Sequence, residues 1–343
     1  MSRKQKVLVI GSGQRVTGTA LPALLCAEEF EVSGVLARKP KRLEALGQSF
    51  QVEPLEELTG ARLAEADLVY VVVSKPATPI VLAKLVELGC GGTDLLIETP
   101  VLLFKHLGHL GLCRAFRNAW VSEDCTRLPW IEPARAALAS GELGDPVHAH
   151  FERSAFAYHG VALAKCLLGG RVLRGKRTRL GSLALRQLKL TGGRSASMLE
   201  PRDYAAGRWL VAGSRGVLAD HVLPKDGALV LEPQLEGGRC TGFRAGDHQR
   251  TLDEAERRLI GEPSGSSGTS AWMIGGKRVG FLNMLREIAH GDGTYPMDEA
   301  VDDAIVDYHL DKFGRYLSNP LTHVRSAPGR LLAGALTRLA GRS

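Results

Sequence analysis

Residues 7–10, VLVI, run directly into GSGQRVTG and then into TALPALLCAEE. Four aliphatic residues without alternation fit a parallel strand buried on both faces, because a strand with one wet face would alternate apolar and polar positions. The glycine turn and the helix-like run behind it complete a strand, turn and helix unit, which is the context that a dinucleotide-binding fingerprint requires. Gly11 permits the tight turn, Gly13 lets backbone amides approach a pyrophosphate, and the helix amino terminus adds favourable partial charge. The spacing is irregular. Val16 stands where the third glycine of G-x-G-x-x-G would fall and Gly18 follows two residues later, so a longer loop with Gly18 in the packing role is expected.

The alternation continues along the first third of the chain. FEVSGVLARKPKRLEALGQSF reads as a second strand over about 31–37 and a second helix over about 40–48, with a short third strand near Phe50 to Val52. ADLVYVVVS (66–74) is another unbroken buried strand, KPATPIVLAKLVELG a helix opening after prolines, TDLLIETP a fifth strand, and AWVSED (119–124) the last strand of the layer. Strands and helices alternating at this length define a doubly wound parallel sheet. A site that prefers NAD places a carboxylate at the end of the second strand, against the ribose hydroxyls. Here that strand ends in Ala37, Arg38 and Lys39, and two cations suit a 2′-phosphate, so NADP(H) is the expected cofactor.

At 343 residues the chain is long enough for two ordinary cores, expected as a nucleotide-binding domain over 1–124 and a second domain over 125–343. Hydrophobic residues at 44% and charged residues at 24% argue against both disorder and a membrane class. No apolar run approaches the roughly 18 residues that span a bilayer. The four apolar residues after MSRKQK are too few for a signal-peptide core, which makes a cytoplasmic location the expectation. The formal charge of +7 is spread among acidic residues, apart from RKPKR (38–42) and the tail VRSAPGRLLAGALTRLAGRS, so nucleic acid is not an expected partner. Six scattered cysteines without C-x-x-C spacing read as reduced thiols.

Beyond residue 125 the pattern changes to a glycine-ended helix, TRLPWIEPARAALASGELG, and then to strand-like runs: PVHAHFERSA, ALRQLKLTG, GRWLVAGSRGVLADHV and ALVLEPQ. These read as a largely antiparallel sheet. GEPSGSSGTS (261–270) reads as a flexible loop, RVGFLNMLREIAHG and MDEAVDDAIVDYHLDKFGRYL as closing helices, and GRLLAGALTRLAG as an amphipathic stretch that packs on the core or docks elsewhere. His148 and His150 lie two apart on an expected strand, and His106 and His109 three apart on an expected helix. Neither pair has a third ligand by spacing, and no metal site is expected.

The order of features resembles the glucose-fructose oxidoreductase and inositol dehydrogenase (Gfo/Idh/MocA) family. The matching pieces are VLVIGSGQRVTGTALPAL, VSGVLARKPKRLEAL, ADLVYVVVSKPAT, LLIETP, SGELGDPV, YHGVALAKCLLG, VAGSRGVL and YPMDEAVDDAIVDYHL. The resemblance implies an α/β protein with an amino-terminal Rossmann domain, a doubly wound parallel sheet, followed by a carboxy-terminal α/β domain with a large open, mostly antiparallel sheet. It also implies a small-molecule substrate and a homo-oligomer, and the spread of charge and the short apolar runs already speak against nucleic acid and membrane as partners. The cofactor-binding residues it implies are Gly11, Gly13, Gln14, Arg15, Val16, Arg38, Lys39, Ser74, Pro76, Glu98 and Pro100.

In that family the fifth strand usually ends in Glu-Lys-Pro, with the lysine near the reacting carbon. Glu98 and Pro100 match, but Thr99 holds the lysine position. The family's aspartate positions beside a helix-borne histidine are Ala155 and Ala162 here, while His159 fits the histidine. Oxidising an alcohol requires a base for the hydroxyl proton, and a threonine hydroxyl can only orient or polarise. Reducing an imine is less demanding, and thiazolinyl imine reductases are relatives that also lack the lysine. The expectation is hydride transfer from NADP(H) to a C=N or C=O group of a small polar metabolite, with His159, Tyr158, Thr99 and Asp124 as the catalytic candidates. Glu123 stands beside Asp124 as a further acid. The alternatives are a non-catalytic, cofactor-binding scaffold and a sugar or cyclitol dehydrogenase with a rearranged base.

Overall fold

The computed structural model describes residues 3–223, 228–264 and 268–318. The chain forms two compact units: residues 3–123 with 281–304, and residues 124–280 with 305–318. The amphipathic tail and the middle of the glycine- and serine-rich loop lie outside the described residues.

The first unit is built on a seven-stranded sheet. Its strands are β1 (Gln5–Ile10), β2 (Phe30–Ala37), β3 (Lys41–Ala45), β4 (Gln48–Pro54), β5 (Leu68–Val71), β6 (Asp94–Glu98) and β7 (Ala119–Ser122). They lie in the order β3-β4-β2-β1-β5-β6-β7, and every pairing is parallel except that of β3 with β4. Val7, Val9, Leu68, Val69, Leu95 and Leu96 are completely buried, as unbroken apolar runs must be when helices cover both faces. Burying each such side chain contributes roughly 1.5–3 kcal/mol.

The expected helix over 40–48 is instead the β3–β4 hairpin. Ala45 pairs with Gln48, and the two residues between them, Leu46 and Gly47, both have positive φ (47° and 79°). That is the twist a two-residue hairpin loop demands. Lysine, arginine, leucine and glutamate favour a helix, and Gly47 looks like its cap, but pairing with β4 overrides this weak preference.

The fingerprint turn also differs from expectation. The loop is not lengthened. Helical winding begins at Gln14, and the irregular spacing is absorbed by a π-helical turn over Val16–Ala20 that continues as an α-helix over Leu21–Cys26. Such wide turns accommodate an extra residue and often mark functional sites. A Cβ on Gly18 would meet nothing within 4 Å, so Gly18 has no packing role; a Cβ on Gly11 would stand 2.1 Å from the Val72 carbonyl oxygen.

The second unit carries a ten-stranded sheet. Its strands are β8 (Pro146–Glu152), β9 (Val172–Leu180), β10 (Leu183–Leu190), β11 (Ser195–Glu200), β12 (Arg208–Gly213), β13 (Val217–Ala219), β14 (Ala228–Glu236), β15 (Arg239–Ala245), β16 (His248–Thr251) and β17 (Arg315–Leu317). Only β8 with β11 and β13 with β14 run parallel. GRYL, read as the end of the last helix, leaves that helix at Phe313, and Arg315–Leu317 pairs antiparallel with β9. Gly314, at φ 68°, makes the turn between them. No helix among the described residues is long and apolar enough to cross a membrane.

Gly11 has φ +139° as well as the contact with Val72. Gly11→Ala is therefore expected to lower unfolding free energy by about 2 kcal/mol or more. Gly18→Ala, by contrast, should change it by less than about 1 kcal/mol. Urea unfolding of both variants checks the pair.

Candidate functional site

The carboxyl ends of the parallel strands bring the first group of residues together. β1 lies between β2 and β5, so the sheet order reverses there, and ligands of open α/β sheets bind outside the strand ends at such a point. Gly11 follows β1 and donates its N–H to the Leu36 carbonyl at 2.8 Å. A Cβ on Gly13 would meet open space, and the backbone there is accessible to a phosphate. Gln14 is exposed, whereas Val16 is fully buried and turns its side chain into the core.

Arg38 and Lys39 are exposed where β2 ends. Lys41, which the sequence reading counted only within a basic cluster, reaches back from β3 to donate to the Ser12 carbonyl at 2.6 Å. The hairpin thus sets a third cation over the glycine turn. The residues fit a phosphorylated dinucleotide: open space at Gly13, a helix start, and cations beyond the end of β2.

Glu98, at the end of β6, is the hub of this edge. Its carboxylate accepts from Arg15 Nε at 2.9 Å, from the Thr99 hydroxyl at 3.2 Å and from the Tyr70 hydroxyl. Arg15 also donates to Ser122 Oγ at 3.3 Å and lies over the Phe281 ring, 5.6 Å from its centroid. Burial, and then the Glu98 charge, holds the Tyr70 hydroxyl far above its usual pKa. Thr99 is 7% exposed and precedes a cis peptide bond to the half-buried Pro100. Ser74 and Pro76 are exposed after β5.

Between Ser74 and Pro76 stands a residue that the sequence reading missed. Lys75 is half-buried and its Nζ donates to the Glu98 carbonyl oxygen at 2.7 Å. Burial draws its pKa down to about 8, with the Glu98 carboxylate pulling upward and the Arg15 guanidinium adding to the depression. The lysine absent at 99 is therefore matched by one arriving at the same turn from the neighbouring strand. The only sequence signal was its place directly after a buried strand that points toward the glycine turn.

The second unit holds the other candidates. Ala157 begins the helix Ala157–Leu168 at φ 50°, a left-handed conformation unusual for a residue with a Cβ. Tyr158 and His159 follow, half-buried, with ring centroids 4.3 Å apart. His159 lines an apolar cavity of about 20 Å³ with Cys125, Trp130, Ala155 and Trp209, room for roughly one water and no metabolite. Burial pushes the Cys125 thiol up, opposed by Lys277 and by a hydrogen bond with His159. Ala155 and Ala162 are buried. Asp124 is 2% exposed, as is Glu123 at the end of the first unit's opening segment.

The two histidine pairs have structural partners. His148 accepts or donates to Ser195 and Ser197 at 2.8 and 3.0 Å, and His150 to Ser197 at 2.8 Å, across the parallel pairing of β8 with β11. The His106 and His109 rings meet edge to face at 6.3 Å within the 3₁₀-helical run Phe104–Ala115.

The first unit carries a Rossmann-type parallel sheet and the second an open, mostly antiparallel sheet. A family model described as "Oxidoreductase family, NAD-binding Rossmann fold" matches residues 5–111. The matched residues span β1 to β6 of the first unit, so the likeness to that family is carried by the Rossmann sheet.

Solved structures of similar fold include an oxidoreductase from Agrobacterium radiobacter in complex with NAD+, L-tartaric acid and magnesium. It is 13% identical, with a TM-score of 0.63 over 92% of this chain and 98% of that one. They also include scyllo-inositol dehydrogenase from Lactobacillus casei with NAD(H) and scyllo-inositol, at 10% identity and a TM-score of 0.64 over 92% and 99%. A third is aldose-aldose oxidoreductase from Caulobacter crescentus complexed with glycerol, at 13% identity and a TM-score of 0.63 over 92% and 100%. No curated protein matches the chain.

Glu98→Gln removes the anion that Arg15, Tyr70 and Thr99 share, and hydrogen bonds to charged groups contribute about 1.5–3 kcal/mol. A stability loss of that order is expected in urea unfolding. Because Glu98 raises the pKa of Lys75, the same variant should titrate Lys75 below the wild-type value of about 8, read by NMR of ¹³C-methylated lysines.

Proposed function

We propose that this oxidoreductase uses NADP(H) and transfers hydride to a C=N or C=O group of a small polar metabolite. The observation that carries the cofactor choice is the end of β2, where the strand runs into exposed Arg38 and Lys39 in place of a carboxylate of its own. Lys41, fixed over the turn by Ser12, adds to the positive field. In this reading Gly11 and Gly13 give the diphosphate its approach, and the backbone from Gln14 to Val16 faces the phosphates. Ser74 and Pro76 border the nucleotide, and Glu98 and Pro100 shape the turn beside the nicotinamide. The substituted motif at Thr99 favours reduction of an already polarised double bond, which needs only a proton donor.

A second reading, oxidation of a sugar or cyclitol, is favoured by two structures of similar fold, one holding scyllo-inositol and the other glycerol. Both readings treat the ten-stranded sheet as the substrate-bearing and oligomer-forming part. Leu173 and Leu180 on β9 and Leu317 on β17, exposed at 38%, 49% and 66%, support a contact with a second copy there.

Nucleotide fluorescence titration tests the cofactor assignment. NADPH is expected to bind at least about tenfold more tightly than NADH, since charge-assisted phosphate contacts contribute roughly 1.5–3 kcal/mol. The double substitution Arg38→Ala with Lys39→Ala should abolish the preference while leaving NADH binding little changed. Equal binding of the two nucleotides by the wild-type chain would reject NADP(H) specificity. Turnover of polyols but of no C=N or C=O compound would favour the second reading.

A further inference from the structure

We propose that Lys75 is the acid–base residue of this chain, delivering a proton from Nζ to the carbonyl oxygen or imine nitrogen as the neighbouring carbon takes the nicotinamide hydride. The inference rests on the nicotinamide-dependent reading above and assigns a role that neither Thr99 nor Glu98 can fill.

Three observations carry it. The first is position: Val72, next in the chain after β5, presses its carbonyl against Gly11, so the segment leading to Lys75 leaves the sheet beside the glycine turn. Ligands of such sheets bind beyond the ends of strands at the reversal point, and β1 and β5 are the pair that form it. The second is anchorage: Nζ is held at 2.7 Å by the Glu98 carbonyl, and among the described residues no carboxylate pairs with it. A lysine ammonium has three N–H donors, so one can be fixed while others serve a substrate.

The third is elimination at this edge. The Glu98 carboxylate already accepts from Arg15, Tyr70 and Thr99, and taking up a proton would disrupt all three contacts. The Tyr70 hydroxyl is buried and donates to that same carboxylate, and the Thr99 hydroxyl does likewise. The charged and titratable groups facing Lys75 are Glu98 on β6 and Arg15 at the helix start, with Tyr70 on β5 bonded to the first. The resulting pKa of about 8 leaves both protonation states populated near neutrality, as general acid–base catalysis requires.

The step balances. In the reducing direction Nζ gives a proton to the oxygen or nitrogen while the π pair of C=X moves onto that atom. The carbon accepts hydride with its electron pair and is reduced, the nicotinamide is oxidised, and the neutral amine recovers a proton from water. In the oxidising direction the neutral amine accepts the hydroxyl or amine proton. Reduction should therefore slow as pH rises through the Lys75 midpoint, and oxidation should slow as pH falls through it.

The test is NMR titration of the full chain with ¹³C-methylated lysines, the Lys75 signal being assigned by its loss in Lys75→Met. The expected result is a midpoint near 8 without nucleotide. The midpoint with NADP+ should be at least about half a pH unit lower than with NADPH, because the two differ at the nicotinamide by one positive charge. Equal midpoints in the two complexes would place Lys75 away from the ring and overturn the assignment, while leaving the cofactor reading intact. A chain that binds neither nucleotide would overturn that reading and this assignment together.

In turnover, Lys75→Met is expected to lose kcat by about 100-fold or more and to lose the pH limb. Lys75→Arg, which keeps the charge and the contact with Glu98 but cannot titrate, should lose the same limb and still fold. Wild-type kcat and pH dependence in both variants would refute the proposal.

Discussion

The contact between Gly11 and the Val72 carbonyl is the constraint on which the first unit depends. Two strands that run side by side must diverge where the chain leaves them, and a side chain at Gly11 would force that divergence one residue too early. Without a Cβ, the ends of β1 and β5 stay close, the helix after β1 starts immediately at Gln14, and Lys75 emerges beside the turn. Glu98 completes the edge from the next strand by gathering Arg15, Tyr70 and Thr99 on one carboxylate. Backbone approach on one side and a shared anion on the other tie the ends of β1, β5 and β6 into one rim.

Much of this frame was legible in the sequence, because fully buried parallel strands leave an unmistakable apolar run. VLVI, LVYV and LLI all fall where the runs end in glycine or polar residues, and the parallel order follows from the helices between them. The hairpin at 41–54 was not legible. Its residues have helical preferences, and only the positive φ of Leu46 and Gly47 together with the pairing to β4 decides the matter. Propensity is local, whereas an edge strand is stabilised by a neighbour that a sequence window does not contain. Likewise β9, β11, β15, β16 and β17 gave no clear signal, because strands of an open sheet with a wet face mix charged and apolar residues freely.

The site was legible in part for a similar reason. Thr99 could be recognised as the departure from a lysine-bearing motif, but reading along one strand cannot show what the adjacent strand contributes. Lys75 lies in SKPAT, an ordinary loop by composition. Its depressed pKa arises from burial and from Glu98 and Arg15, which are distant in sequence. In the second unit, His159 was visible as a helix-borne imidazole, but its bond to Cys125 and the small cavity around it come from packing.

The first unit also recruits a late segment. Tyr70 and Phe281 meet with ring centroids 5.1 Å apart, Val121 N–H donates to the Tyr295 carbonyl at 3.0 Å, and Trp120 bridges to Pro296. Arg15 completes the junction by lying over Phe281. Synthesis therefore cannot finish this core when the ribosome has made only its opening strands. Docking of residues 281–304 must wait until the intervening unit has been translated, so the packing of Phe281 against Tyr70 and Arg15 is among the last contacts of this core to form.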